Sequence, residues 1–462
     1  MKIQIKRLII TATIACLLFS GFLISPEKAK ADTAPAWPDG VVNTVAKSSC
    51  LMDYNTGTVL YESGSHKKRY PASITKILTA LLTIENCDMN DTLTYSKNSI
   101  SCIRDGAANI GAKKGEKMSV KDALYGMMLQ SGNECATALG EHMFGDEKTF
   151  VQKLNERAKE AGAKESHFMN GNGLHHENHY VTAYDMAMIM RAALKYPLFR
   201  EILGTTQYTI QKNNKRKERF ISSMRHKMIW EGGPYYYKGI IGGKTGFTDQ
   251  AKNTLVTAAE RKGLTLICVV LKSDTTHVYT DTRKLFNYGF RNFKSINISE
   301  SDSRFNDENE YSLTSPFMDK VGSLQLDTAA TAVIPKGASY SDLKIVPTFN
   351  VSRLVISKLN YNYGDKTVGT ADLTYKKGTE AKAASNDVEQ ETIEKVTTAA
   401  KAKSNKATKK DSSSSSKNIF PIIIIVVCAA VFIALVTLIV KRKQKINRIR
   451  AEKRHRNRYT RD

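Results

Sequence analysis

The chain has 462 residues, 41% of them hydrophobic, enough for more than one domain with its own core. Its formal net charge of +24 is unevenly placed, with +4 in residues 1–31 and +9 in residues 441–462. No basic stripe with interleaved aromatics runs between these ends, which argues against a nucleic-acid partner.

Both ends read as membrane signals. Lys2, Lys6 and Arg7 precede an apolar run over 8–24, and Ala29-Lys30-Ala31 follows as a small-x-small cleavage pattern. Residues 1–31 are therefore expected to be a signal peptide. Cys16 lies inside the apolar run, not after it, which argues against a lipoprotein site. Residues 419–440 carry no charge and are long enough for a transmembrane helix. The basic tail 441–462 follows at once; the positive-inside rule places it in the cytoplasm and residues 32–418 on the extracellular face of the cell membrane. Such a tail also suits anionic membrane lipid. Cys428 lies in the apolar span, and the remaining five cysteines, Cys50, Cys87, Cys102, Cys135 and Cys268, show neither a disulfide framework nor metal-ligand spacing.

After the signal, "VAKSSCLMDYNTGTVLYES" predicts two strands around an Asn55-Thr56-Gly57 turn. In "PASITKILTALLTIE", Ile74, Ile77, Leu78, Leu81 and Leu82 recur at helical spacing behind Pro71, a suitable first residue. Ser73 and Lys76 then stand one turn apart beside the buried stripe. A charged lysine in a first turn faces the positive end of the helix dipole, so its placement calls for a reason. A mainly helical stretch runs to about residue 205. Within it "VKDALYGMMLQ" ends at Ser131-Gly132-Asn133, a loop before a new helix near Glu134. Thr182 and Asp185 form a capping-box pattern ahead of "MAMIMRAAL". From Lys238 the period changes: "GIIGGKTG", "NTLVTAAE" and "LTLICVVLK" read as antiparallel strands, and "TDTRKLFNYGF" returns to helix. Residues 32–295 thus form an α/β domain. Residues 296–384 carry short β-rich runs between turns, the pattern of a small β-sandwich. Residues 385–418 are mostly Ser, Thr, Ala, Lys and Glu, a flexible linker.

Ser-x-x-Lys alone is weak, since about two copies arise by chance in such a chain. It recurs elsewhere, at Ser25–Lys28, Ser65–Lys68 and Ser414–Lys417 among others, but only Ser73–Lys76 opens a buried helix. A capping serine with a lysine reaching to solvent is the plain alternative. Ser131-x-Asn133 in a loop and Lys244-Thr245-Gly246 on a strand shift the balance. The three motifs, in this order on helix, loop and strand, are the set of serine penicillin-binding proteins and class A β-lactamases.

The sequence resembles the D-alanyl-D-alanine carboxypeptidases, the low-molecular-mass penicillin-binding proteins of peptidase family S11, from about residue 45 to 382. The resemblance includes "LMDYNTGTVLYE", "PASITKILTALL", "NGLHHENHYVTAYDMA", "GGKTGFT" and "DTRKLFNYGF". It implies a β-lactamase/transpeptidase-like domain, an antiparallel sheet with helices plus a helical subdomain, followed by the β-rich domain. Ser73 is then the acyl-ester nucleophile, Lys76 the general base and Ser131 a proton relay. Asn133, Lys244, Thr245, Gly246 and Phe247 bind substrate, and the backbone N–H groups of Ser73 and Phe247 form the oxyanion hole. A serine hydroxyl needs a base to attack an amide carbonyl, and a lysine can serve when burial and a neighbouring positive charge keep it neutral. That gives the awkward position of Lys76 a reason.

The implied function is removal of the terminal D-alanine from peptidoglycan pentapeptide stems, with acylation by β-lactams and no cofactor or metal. A β-lactamase, a DD-endopeptidase and a non-catalytic cell-wall scaffold are the rivals. Glu165 invites a deacylating role, but "KESHFMN" lacks the Glu-x-x-Leu-Asn pattern and reads as surface. His175, His176 and His179 follow the helix-breaking "NGNG" and do not match His-Glu-x-x-His, so zinc is not expected. His226 stands where the family commonly has an asparagine. Relatives usually hold the membrane by an amphipathic helix, whereas this chain has an apolar span.

Overall fold

The computed structural model describes residues 34–103, 106–223, 226–302, 322–348 and 355–377. The expected signal peptide (1–31), linker (385–418), membrane span (419–440) and basic tail (441–462) lie outside these residues. Among the described residues no helix is long and apolar enough to cross a membrane.

Strands β1 (Ser48–Asp53) and β2 (Val59–Ser63) flank the expected turn, where Gly57 takes φ 77°. A 3₁₀ turn over Ala72–Thr75 leads into α1 (Lys76–Asn86), so the predicted helix begins one turn later as an α-helix. Strands β3 (Thr92–Thr94) and β4 (Lys117–Ser119) pair on either side of α2 (Lys97–Ser101). Five helices follow: α3 (Val120–Leu129), α4 (Asn133–Phe144), α5 (Glu147–Glu160), α6 (Ala183–Ala193) and α7 (Pro197–Gly204). The hairpin β5 (Gln207–Ile210) and β6 (Arg219–Ser222) separates them from β7 (Ile240–Thr248), β8 (Lys252–Arg261) and β9 (Leu264–Ser273). Helix α8 (His277–Asn292) completes the catalytic fold.

The first and last strands meet in one antiparallel sheet, ordered β2-β1-β9-β8-β7. Its centre is apolar on both faces, which explains the near-continuous hydrophobic run of β9. Ile267, Val269 and Leu271 face the helical core with α1 and α6, while Leu266, Cys268 and Val270 face the core that holds Leu285 and Phe286 of α8. Ser119 and Asp146 cap α3 and α5 by accepting backbone N–H bonds from Asp122 and Thr149. At α6 the expected capping box forms only by half. Thr182 accepts from the Asp185 N–H, but the buried Asp185 carboxylate accepts from the Glu165 N–H and the Ser166 hydroxyl instead of the Thr182 N–H.

The β-rich region begins earlier than the sequence indicated. Strand β10 (Phe293–Asn297) leaves α8 directly, ahead of the expected boundary at residue 296, and the short helix α9 (Ile298–Ser301) follows. Strands β11 (Gly322–Leu326), β12 (Thr331–Pro335), β13 (Lys344–Thr348), β14 (Val355–Tyr363) and β15 (Lys366–Lys377) join it. Hydrogen bonds link all six into one antiparallel sheet, β10-β12-β15-β14-β13, with β11 also on β15. The short β-rich runs expected over 296–384 are present as these strands, joined through the long β15. The N-terminal stretch crosses from one sheet to the other: Tyr61 of β2 donates to the Val42 carbonyl at 2.9 Å, Trp37 packs 5.0 Å from Phe293 and 6.1 Å from Tyr363, and Tyr288 donates to the Pro38 carbonyl.

Candidate active site

Three elements converge on Ser73: the 3₁₀ turn that carries it, the loop before α4, and strand β7. The turn is held in an unusual shape. Ala72 takes φ 53°, a left-handed conformation that non-glycine residues seldom adopt and that stores strain. Its surroundings fix it there. Thr75 Oγ1 donates to the Ala72 carbonyl at 3.0 Å, and Thr254 Oγ1 of β8 donates to the Pro71 carbonyl at 2.9 Å. Gly246 of β7 must lack a side chain, because a Cβ would stand 2.8 Å from the Ser73 nitrogen. The absence of a side chain at Gly246, directly after Lys244-Thr245, thus lets β7 reach the backbone of Ser73.

Lys76 opens α1, fully buried. Its Nζ lies 3.0 Å from Ser73 Oγ and 2.7 Å from Asn133 Oδ1, and it also meets the Asn172 carbonyl. Two of these partners, the amide oxygen and the carbonyl, can only accept; the hydroxyl can do either. The Nζ donates to all three oxygens, so the 3.0 Å contact with the Ser73 hydroxyl is the one along which a proton can pass. On the opposite side Lys244, buried on β7, donates to Ser131 Oγ at 3.0 Å and to the Thr245 carbonyl at 3.1 Å. Ser131 is itself left-handed at φ 62°, and the Asn133 N–H that follows donates to the Ala108 carbonyl at 3.0 Å. The structure therefore gathers Ser73, Lys76, Ser131, Asn133 and Lys244 as two serine–lysine pairs. Thr245 is half-buried beside them, and Phe247 is 58% exposed.

Several contributors were not legible in the sequence. Asn172 supplies a backbone carbonyl to Lys76, which no side-chain motif signals. Glu134 is fully buried, and its Oε1 accepts the N–H groups of Ile110 at 2.7 Å and Ala112 at 3.4 Å; burial raises its carboxyl above the usual range. His179 is buried with Nε2 3.2 Å from Thr75 Oγ1, and burial lowers it to about 3. His175 stands edge-on to Tyr70, and His176 Nδ1 accepts the Asn178 N–H, so the three histidines turn to different neighbours. Glu165 is exposed and pairs with His66. His226 is buried behind β7, with Nε2 3.0 Å from Thr257 Oγ1. Burial first and the Lys244 charge next lower it to about 4, against an opposing backbone hydrogen bond.

A serine on a strained 3₁₀ turn, a buried lysine against it and a second serine–lysine pair are an arrangement suited to serine acyl transfer, on a sheet-and-helix scaffold. Comparison with known proteins takes this further. Residues 31–275 match the Peptidase_S11 family model, described as D-alanyl-D-alanine carboxypeptidase. The chain is 37% identical over 235 residues to the D-alanyl-D-alanine carboxypeptidase DacF of Bacillus subtilis, a match covering 50% of this chain and 58% of that relative. It is 28% identical over 382 residues to DacA of Escherichia coli, covering 79% of this chain and 89% of the other. Among solved structures, penicillin-binding protein 5 of Haemophilus influenzae aligns with a TM-score of 0.59 at 26% identity, over 74% of this chain and 100% of that one. The Streptomyces K15 DD-transpeptidase aligns at 0.51 and 29% identity, over 55% and 99%. The chain belongs to the D-alanyl-D-alanine carboxypeptidase family, peptidase family S11.

Proposed function

We propose that this chain is a serine-type D-Ala-D-Ala carboxypeptidase that removes the terminal D-alanine from peptidoglycan pentapeptide stems. The observation that carries this reading is the 3.0 Å approach of a fully buried Lys76 Nζ to Ser73 Oγ. Lys76 takes the Ser73 proton as Oγ attacks the penultimate D-Ala carbonyl. The oxyanion is held by the backbone N–H groups of Ser73 and Phe247. As the C–N bond breaks, the proton taken by Lys76 reaches the leaving D-alanine nitrogen through Ser131, which gives its own hydrogen and receives one in turn, while the Lys244 ammonium donates to its oxygen. Lys244 and Thr245 bind the terminal carboxylate, Gly246 admits the backbone approach, and Asn133 aligns the peptide. Water then cleaves the Ser73 ester. β-Lactams acylate the same serine, since their ring amide presents a comparable carbonyl.

The charge pattern at the two ends supports an exported protein with a single-pass anchor and the catalytic domain outside the cell. The test of function is D-alanine release by the full chain in detergent from a peptide ending in Lys-D-Ala-D-Ala. Release by wild type and none by Ser73→Ala is expected; release by both removes Ser73 as the nucleophile.

A further inference from the structure

A cluster of lysines stands beside the active site and takes no part in it. The loop into β4 exposes Lys113, Lys114 and Lys117, and the β5–β6 hairpin exposes Lys212, Lys215 and Lys217. The two segments are stitched together. Lys215 Nζ donates to the Lys114 carbonyl at 2.8 Å, Asn214 Nδ2 to the Gly115 carbonyl at 2.9 Å, and the Lys117 N–H to Asn214 Oδ1 at 2.8 Å. The other charges of these segments turn inward. Arg216 donates to the Gly111 carbonyl, and Arg219 pairs with Glu116, which is fully buried. Within 111–117 and 211–219 the one exposed acid is Glu218. The result is an array of ammonium groups on two segments whose backbones are held together.

The array is mechanically joined to the catalytic loop. Arg219 donates to the Ile110 carbonyl at 3.1 Å, Ile110 donates to Glu134, and Asn133 donates to Ala108. Ammonium groups on flexible stems suit a ligand with repeated point charges better than one recognised by planar, bidentate pairing. One exposed aromatic ring, Phe220, accompanies them. That is too little for a base-stacking platform, which needs successive aromatics, and too little apolar area for a membrane-surface face.

We propose that this lysine face binds a linear phosphodiester polymer of the cell envelope and so holds the catalytic loop against the wall. The envelope setting rests on the exported reading above; the binding itself does not.

The experiment is amine footprinting of the full chain in detergent, read residue by residue by mass spectrometry, with poly(glycerol phosphate) as the probe. Protection of Lys113, Lys114, Lys212 and Lys217 is expected, with Lys67 and Lys344 unchanged. That protection should fade as salt rises from about 50 to about 500 mM, because polyanion binding releases counterions. The fourfold Lys→Gln variant at those four positions should bind the polymer about tenfold more weakly while still being acylated by penicillin, which reports a folded active site. Uniform protection of all exposed lysines overturns the proposal. So does equal protection by monomeric glycerol phosphate at the same phosphate concentration. Protection by phosphatidylglycerol vesicles but not by the polymer assigns the face to a membrane instead.

Discussion

Gly173 lies against the carbonyl of Ala72 so closely that a Cβ on it would stand 2.0 Å from that oxygen. Gly173 takes φ 85°, so both residues of the contact are left-handed. The loop that gives Lys76 a carbonyl partner at Asn172 also braces the strained residue before the nucleophile. Gly173→Ala adds a clash and an unfavourable φ at once. It is expected to destabilise by more than about 1 kcal/mol. Ser73 acylation by a fluorescent penicillin should slow about tenfold or more, the response to about 1.4 kcal/mol of lost alignment. An unchanged rate means the turn keeps its shape without this brace.

Removing the base should separate acylation from folding. Lys76→Met keeps the length of the buried stem and deletes the proton acceptor. Penicillin acylation is expected to fall by about 10²–10⁴-fold, the range for a general base. Asn133→Ala removes one of the two oxygens that orient the amine and should show a smaller loss. Pre-steady-state acylation measures both; a wild-type rate in Lys76→Met assigns the base elsewhere.

Two buried histidines make stability depend on acid. Burial holds His179 at about 3 and His226 at about 4, whereas an unfolded histidine titrates near about 6.5. Between these values the unfolded chain binds protons that the folded chain refuses. Stability therefore rises with pH up to about 6.5 and is lost as pH falls toward 4 and then 3. At a pH near 5, His179→Gln should reduce proton uptake on unfolding by about one. Denaturant melts at several pH values give that slope; an unaltered slope shows that His179 is not the group.

The Glu116–Arg219 pair fastens the hairpin to the loop at 110–117, with Glu116 at 0% and Arg219 at 14% exposure. Arg219→Leu leaves a buried carboxylate with only the Asn213 amide and the Lys113 N–H as donors. Cutting one partner from a buried pair costs about 3–5 kcal/mol. Scanning calorimetry should show a clear fall in Tm, and Glu116→Gln, which keeps the hydrogen-bonding shape, a smaller one.

The candidate site side chains were legible because the proposed chemistry restricts them to a few residue types at fixed places on helix, loop and strand. Ser73, Lys76, Ser131, Asn133 and Lys244 meet in space as their motifs implied. What stayed hidden acts through backbone or burial. Asn172 contributes a carbonyl that any residue owns, and Ala72 a dihedral angle. His179, already set aside as a zinc ligand on its sequence, acts through burial, turned inward to Thr75. The strands β7 to β9 were readable from their apolar runs. The second sheet was less so, since β10 carries on from α8 with no turn residue between Asn292 and Phe293 to mark a change.

That uninterrupted passage from α8 to β10 leaves the molecule without a seam. Phe293, Val333, Ile334, Leu359 and Tyr361 share one apolar cluster with Leu51, Leu266 and Phe286 of the catalytic fold. Heat has no weak plane along which to part the two sheets, so they should melt in a single calorimetric transition. A chain cut short before Phe293 would carry the bare half of that cluster into water, and it would meet other copies of itself before it met substrate.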